Sequence, residues 1–333
     1  MTRIADSTGS PHARILGVGG YRPSRVISNA EICQLIDSTD EWIQTRSGII
    51  NRRWADDDET VQMMGVAAAR AALEHANVAA EEVGCVIVGT VSHLLQTPAV
   101  ATLIGEELGT NKAAAFDISA ACAGFCHGVA LGADMVRAGS AKYVIAIGVE
   151  RLSDLTDRTD RSTAFIFADG AGAAVIGPSD VPGIGPVVWG SDGAQFDLIR
   201  QKETWADAFA AEDLNWPHLR MEGNPVFRWA SFEMAKIGAQ ALEAAGVTVD
   251  ELDAFIPHQA NMRITDAMAR ALKIPEHVVI ARDIAQQGNT SAASVPLAME
   301  RMIADGEISG GDTALLIAFG AGLTYAAQVV TVP

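Results

Sequence analysis

Three short segments hold side chains able to do chemistry: Cys122 in DISAACAGF, His258 in PHQAN and Asn289 in GNTSAAS. A thiol attacks as its thiolate, so its surroundings decide its use. The strand AAAFDIS runs into SAACAGF and then a helix, which puts Cys122 where that helix begins. Unpaired N–H groups and the helix dipole favour an anion there, so a lowered thiol pKa is expected. Ala120, Ala121, Ala123 and Gly124 are small enough to let a substrate carbonyl approach. In the second half of the chain a corresponding strand runs into QQGNTSAAS, placing Asn289 at the matching turn, and the strand at 253–257 ends in His258. All three fall at strand-to-helix junctions, where open α/β sheets hold their ligands. The glycine turn at 319–322 should add backbone N–H groups. Taken singly, each residue has a plain explanation: a packed cysteine, a helix cap and a turn residue. Together they point to cysteine catalysis.

Other candidates read as structural. Cys126 lies one turn after Cys122 and faces the core; Cys33, Cys85, His75 and His277 occupy core or surface positions. Cys122, Cys126 and His127 lack the second ligand pair that a zinc site needs. GAGAA at 170–174 does not open a helix as a dinucleotide loop would.

The elements that must position these residues alternate. Val- and Ile-rich strands are expected at 84–90, 113–119, 142–148, 253–257, 278–284 and 313–319. Ala-rich stretches of helical period fill 60–77, 98–108, 124–138, 225–245, 261–273 and 291–304. The alternation predicts an α/β fold with a mostly parallel sheet. Residues 189–224, polar and carrying Trp205 and Trp216, read as an irregular insertion. The pattern also repeats. ALEHANVAAEEVGCVI (72–87) matches ALEAAGVTVDELDAFI (241–256), FDIS (116–119) matches RDIA (282–285), and DGAGAAVIG (169–177) echoes FGAGLTYAAQVV (319–330), in the same order. A duplicated unit brings equivalent strand ends together across a pseudo-twofold axis, so a site there draws on both halves. The expected division is 1–180 carrying the nucleophile, 181–224 connecting, and 225–333 carrying His258 and Asn289. No low-complexity linker intervenes, so the halves should pack tightly.

Composition narrows the function. The chain has 333 residues, a net charge of −17, 49% hydrophobic and 20% charged residues. This is a globular composition without an apolar run long enough to span a bilayer. The N-terminus lacks the apolar stretch of a secretory signal. The negative charge opposes nucleic acid and anionic membrane surfaces as partners. Four cysteines are too few for a disulfide framework and fit a reducing cytoplasm.

DISAACAGF, PHQAN, GNTSAAS and FGAGLTY, with STDEWIQTRSGI from residue 38 and FADGAGAAVIG from residue 167, resemble the motifs of β-ketoacyl-acyl-carrier-protein synthase III. That family comprises thiolase-fold condensing enzymes of bacterial type II fatty-acid synthesis. The priming ketosynthases of aromatic polyketide pathways share the same motifs, and the sequence leaves this alternative open. The resemblance runs from about Arg14 to the C-terminus. It implies a five-layer αβαβα fold of two duplicated halves, and a homodimer. Cys122 would take an acyl group from coenzyme A. His258 and Asn289 would hold the malonyl thioester carbonyl and stabilise the enolate left by decarboxylation. The backbone N–H groups of Cys122 and Ala321 would bind the tetrahedral oxyanion. No metal or redox cofactor is implied. Trp42 and Arg161 would stack the adenine of CoA, Arg46 would lie near its phosphates, and Asn224 and Asn261 would contact pantetheine. Thr97 aligns where a phenylalanine closes the acyl pocket, across the dimer interface, in members restricted to short primers. Longer or branched primers are therefore expected. The partner, malonyl-acyl carrier protein, is acidic like this chain. Arg263, Arg270 and Lys273, with Arg228 and Lys236, offer a local basic face for it. Against the alternatives, a degradative thiolase would carry a cysteine in the C-terminal glycine turn. A binding module of this fold would lack the triad, and a type III polyketide synthase would differ in that turn.

Overall fold

The computed structural model describes residues 4–211 and 216–333; residues 212–215, within the expected insertion, lie outside the described residues. Strand β1 (His12–Tyr21) comes first, then β2 (Val26–Ser28) and β3 (Asn51–Arg53), which pair with each other and enclose α1 (Asn29–Ile32) and α2 (Asp40–Ser47). Ser28 and Glu31 form a capping box on α1, and Thr39 accepts the Trp42 N–H to start α2. Next come α3 (Val61–Ala76), β4 (Val83–Gly89), α4 (Val100–Leu108), β5 (Ala114–Ile118), α5 (Gly124–Ala138), β6 (Tyr143–Arg151) and β7 (Asp169–Ser179). The insertion holds β8 (Val188–Gly190), β9 (Ile199–Gln201), α6 (Trp205–Ala210) and β10 (Leu219–Met221). The second half follows as α7 (Gly223–Ala245), β11 (Ala254–Pro257), α8 (Met262–Leu272), β12 (Val279–Ile280), α9 (Ile284–Gln287), α10 (Ser294–Ala304), β13 (Thr313–Phe319) and β14 (Tyr325–Thr331).

The two large sheets have the same plan. One runs β1-β7-β6-β4-β5 and the other β8-β14-β13-β11-β12. In each, two pairs are antiparallel and two are parallel, so the expected mostly parallel sheet is corrected to a mixed one. The reason lies in the connections. No crossover helix separates β6 from β7 or β13 from β14, so each second strand returns antiparallel. β8 lies inside the segment expected only to connect, yet it pairs with β14 and completes the second sheet.

The first repeat match lands on equivalent elements, the end of α3 into β4 with the end of α7 into β11, but in the second FDIS closes β5 whereas RDIA follows β12, which stops at Ile280, and enters α9. The third slips in register. Gly170 and Gly172 are residues of β7, whereas the glycines of FGAGLTY form the turn before β14. Gly172 is bare because a Cβ there would meet Pro296 side-chain atoms at 2.7 Å.

Apolar clusters define five layers. α3 and α4 cover one face of the first sheet, α7 and α8 cover the outer face of the second, and α5 and α10 fill the space between the sheets. At the centre of the middle layer the two halves touch backbone to backbone. A Cβ on Gly148 of β6 would lie 2.1 Å from the Ala292 carbonyl oxygen; within the first half, one on Gly89 of β4 would lie 2.9 Å from Gly124 of α5. Gly148→Ala is therefore expected to destabilise by about 1–3 kcal/mol, because backbone has to move. Gly193→Ala, whose Cβ meets nothing within 4 Å, should stay within about 0.5 kcal/mol. Urea unfolding midpoints at unchanged slope check both.

Candidate active site

Two cavities meet at Cys122. One, of about 420 Å³, has Trp42, Arg46, Asn224, Asn261 and Arg263 on its wall, together with Cys122, His258, Asn289 and Phe319. The other, of about 590 Å³, is lined by Leu94, Leu95, Leu155, Phe196, Ile199, Trp205, Ala321 and Cys122 among others. The fold thus brings the three sequence-predicted reactive side chains to one place.

Cys122 sits in a 3-10 turn, Ala121–Ala123, just ahead of α5. Ala121 is held at φ 45°, a strained conformation for a non-glycine residue. The expected lowering of the thiol pKa is overturned. Burial pushes the Cys122 thiol up to about 12, and the negative charge of Glu150 adds to the rise, while a hydrogen bond with Ser291 acts against it. Desolvation of the charged form outweighs the favourable donors. Cys126 is fully buried in the central core, as expected.

His258 follows β11 and is 2% exposed. Its main-chain N–H donates to Ile317 at 2.7 Å, and its ring edges onto Phe319 at 5.6 Å. Nδ1 lies 2.7 Å from Ser294 Oγ, which also accepts the Gln259 N–H at 3.3 Å. We assign the Ser294 proton to the bond with Nδ1, which makes Nε2 the N–H of the ring. Burial pushes the imidazole down to about 3, so it is neutral near pH 7. Asn289 is clamped by its main chain, donating to Ile166 at 3.0 Å and accepting from Ala168 at 2.9 Å. Its Oδ1 accepts the Ser291 N–H at 2.8 Å. That bond fixes the carboxamide and leaves its NH₂ as the end able to donate into the cavity.

Ala321 begins the 3-10 turn Ala321–Leu323. The preceding Gly320 comes so close that a Cβ on it would lie 2.5 Å from the Cys122 nitrogen. The hydrogen-bonded turns here are Ala123 N–H to Ala120 O and Gly320 N–H to Thr324 O. The Cys122 and Ala321 N–H groups take no part in either.

At the mouth, the Arg161 guanidinium lies 4.7 Å from the Trp42 ring centroid and that of Arg46 5.9 Å. Arg161 thus covers the Trp42 face itself, and a third planar group enters between them only when Arg161 swings out. Asn224 is exposed near the start of α7. Asn261 is already engaged by the protein. It caps α8 through the Arg263 N–H and donates to the Arg46 carbonyl at 2.9 Å, tying α8 to α2. Thr97 is exposed and is not on the wall of its own chain's cavity; Leu94, Leu95 and Gln96 of the same loop are. Of the basic residues, Arg263 covers Phe227 at 4.8 Å, Arg270 and Arg228 line a groove between α7 and α8, and Lys273 caps the end of α8. Lys236 pairs with Glu233 at 2.8 Å, which weakens it as part of a basic face.

Sequence reasoning missed several residues. Ile199 and Trp205 of the insertion wall the larger cavity. Arg52 is fully buried and donates to the Ile27 and Phe165 carbonyls and to Asn29, which in turn bonds Asp40 of α2. This network fixes the helix that carries Trp42. Ser291 and Ser294 stood in view inside GNTSAAS. Glu150 had no signal beyond an acid at the end of an apolar strand.

Two family models match, described as 3-oxoacyl-[acyl-carrier-protein (ACP)] synthase III over residues 116–193 and its C-terminal part over residues 242–332. The chain is 59% identical to the β-ketoacyl-[acyl-carrier-protein] synthase III of Streptomyces glaucescens over the full length of both. It is 52% identical to that of Mycobacteroides abscessus, covering 100% of this chain and 98% of that one. Among solved structures, the priming β-ketosynthase of the R1128 polyketide biosynthetic pathway superposes with a TM-score of 0.96 at 49% identity, covering 100% of this chain and 98% of that one. The 3-oxoacyl-[acyl-carrier-protein] synthase III of Aquifex aeolicus superposes with a TM-score of 0.88 at 37% identity, covering 96% and 99%. With its paired sheets, its five layers and this full-length likeness, the chain belongs to the β-ketoacyl-[acyl-carrier-protein] synthase III family of thiolase-fold condensing enzymes.

Proposed function

We propose that this chain condenses an acyl-CoA primer with malonyl-acyl carrier protein, releasing CoA and CO₂ and giving β-ketoacyl-acyl carrier protein, the first elongation step of type II fatty-acid synthesis. The observation that carries the reading is the position of Cys122 at the meeting point of two cavities, with His258 and Asn289 on the wall of one. Primer thioester reaches Cys122 past Trp42, Arg46 and Asn224. The sulfur attacks the carbonyl, the Cys122 and Ala321 N–H groups hold the oxyanion, and CoA leaves. The acyl chain then lies in the larger, apolar-walled cavity. The malonyl thioester oxygen accepts from Asn289 Nδ2 and His258 Nε2. Loss of CO₂ puts charge on that oxygen, and the enolate carbon attacks the acyl-cysteine. Decarboxylation removes no proton, so two neutral donors serve where a carboxylate would repel. As written, the chemistry draws on no metal or redox group.

The first 180 residues thus supply the nucleophile and residues 225–333 the imidazole and amide. Four free cysteines fit a reducing cytoplasm. Among the described residues no helix is long and apolar enough to cross a membrane. A homodimer is consistent with the exposed Thr97, which is not on the wall of its own chain's cavity and would reach an acyl pocket across the interface. Starter-unit priming for an aromatic polyketide is the second reading, favoured by the likeness to the R1128 enzyme, whose fold covers the whole chain.

Four outcomes test the proposal. Cys122→Ser should abolish acyl transfer, because a hydroxyl without a strong base is a poor nucleophile. His258→Ala and Asn289→Ala should keep self-acylation by acyl-CoA, seen as a mass shift on the intact chain. Each should lose decarboxylative condensation by about 3 kcal/mol, or roughly 10²-fold. Loss of acylation in either variant would reverse the division of roles. Thr97→Phe should narrow primer use from isobutyryl- and octanoyl-CoA toward acetyl-CoA, measured as relative condensation rates; an unchanged profile removes Thr97 from the pocket. Arg263→Glu should slow the carrier-protein half-reaction with an effect that shrinks as salt is added, leaving the CoA half-reaction nearly unchanged.

A further inference from the structure

Glu150 is a buried acid that the mechanism above does not use. It stands near the end of β6, two residues after the Gly148 contact, and is completely shielded from solvent. Its Oε2 accepts from Thr90 Oγ1 at 3.3 Å, from the Val91 N–H at 3.1 Å and from Ser92 Oγ at 2.5 Å. Its Oε1 accepts from Ser291 Oγ at 3.0 Å. The turn that carries Ser291 meets the turn that carries Cys122, both residues line the larger cavity, and the Ser291 hydroxyl acts on the thiol by favouring its thiolate. No basic side chain faces the carboxyl among these partners, and the neighbouring Arg151 turns away to Asp57 and Asp154. Ser291 is itself held in a left-handed conformation, φ 49°, in the turn that also fixes Asn289. A strained non-glycine residue with both its N–H and its hydroxyl committed marks a position the surroundings over-determine.

We propose that Glu150 is the proton store of Cys122, reached through the hydroxyl of Ser291. This deepens the proposed function and rests on its reading of Cys122 as nucleophile. As sulfur bonds to the primer carbonyl carbon, the thiol proton passes to Ser291 Oγ and the Ser291 proton passes to Glu150 Oε1. CoA leaves as its thiolate and takes a proton from solvent. When the enolate carbon attacks the acyl-cysteine, the carbon–sulfur bond breaks and the electron pair returns to sulfur. The proton then travels back from Glu150 through Ser291, which restores the free thiol. Glu150 touches no substrate atom and is a positioning residue behind the nucleophile.

The surroundings support this assignment. A thiol raised to about 12 needs an acceptor to react near neutrality, and an imidazole lowered to about 3 is a poor one. Burial raises the Glu150 carboxyl to about 7, close to the working range of a proton carrier. Its carboxylate form accepts the proton, so acylation should climb as pH rises through about 7 and flatten above it. The titratable group beside Glu150 is Cys122; its other partners are hydroxyls and a main-chain N–H.

The test is rapid-mixing acylation of the full-length chain by acetyl-CoA, followed by intact mass from pH 5.5 to 9. Wild type, Glu150→Gln, Glu150→Asp and Ser291→Gly are compared. Circular dichroism and CO₂ release from malonyl-acyl carrier protein serve as the checks on fold and on the His258–Asn289 pair. Ser291→Gly removes the hydroxyl while suiting the left-handed backbone and keeping the N–H that holds Asn289. Glu150→Gln and Ser291→Gly should each lose about 10²-fold in acylation rate and lose the rise near pH 7. Glu150→Asp should regain part of the rate together with that rise, and CO₂ release should persist in all three. Wild-type acylation with an unchanged pH profile in Glu150→Gln overturns the proposal. So does an intact rate and rise in Ser291→Gly, or an equal loss of CO₂ release in Glu150→Gln. Absence of any mass shift in the wild type would instead sink the assignment of Cys122.

Discussion

The two halves of this molecule are held at one place by bare backbone. Gly148 on β6, in the first half, lies under the Ala292 carbonyl of the second, and within the first half Gly89 on β4 seats Gly124 at the start of α5. A side chain on Gly148 would push the Ser291–Ala293 turn off the first sheet, and one on Gly89 would push the start of α5 off β4. Because they stay close, the 3-10 turns Ala121–Ala123 and Ser291–Ala293 meet, and the turn before β14 closes on the Cys122 nitrogen through Gly320. The strain at Ala121 and Ser291 sits on both sides of the same contact. Close approach across the pseudo-twofold centre is what makes a thiol from one half and an imidazole and amide from the other into a single site.

Desolvation then sets the chemistry. Burial raises Cys122 and Glu150 and lowers His258, so each group is pushed toward its neutral form. Neutral donors suit a reaction in which charge appears on a thioester oxygen only after CO₂ has left. A permanently charged side chain at the same spot would have to be desolvated before substrate arrived and would bind the malonate carboxylate instead of the oxygen that needs it. Asn289 and His258 are each oriented by one serine of the same segment, Ser291 through its N–H and Ser294 through its hydroxyl. A short stretch of sequence thus aims both donors.

Access to this dry centre is built from less regular parts. Arg52, buried in a shell of carbonyls, fixes the α1–α2 region and therefore the angle of Trp42. The insertion, with Ile199 and Trp205, makes a wall of the larger cavity instead of serving only as a tether. Basic residues gather where α7 and α8 border the mouth, on a chain of net charge −17. That distribution permits attraction of an acidic partner at one spot while the surface as a whole repels it.

The sequence alone determined the periodic elements, because local hydrophobic patterning encodes them. The helices at 124–138 and 225–245 and the strands at 84–90 and 313–319 fall within two residues of the observed bounds. It also placed Cys122 and His258 at strand ends, since a strand, a turn and a helix start are all local events; Asn289, expected at the end of a strand over 278–284, instead follows the short helix α9, because β12 stops at Ile280. Tertiary structure decided what depends on neighbours distant in the chain. The lowered thiol pKa expected from a helix start was reversed by burial among residues from both halves. Asn261, read as a ligand contact, is engaged in joining α8 to α2. Thr97 is exposed and is not on the wall of its own chain's cavity, and the glycine strings of β7 and of the turn before β14 are not equivalent. Glu150 stayed silent in the sequence because an acid at a strand end looks like any solvated residue. Its significance arises only when Thr90, Ser92 and Ser291 close around it, and desolvation is a property of the packed whole that no local window contains.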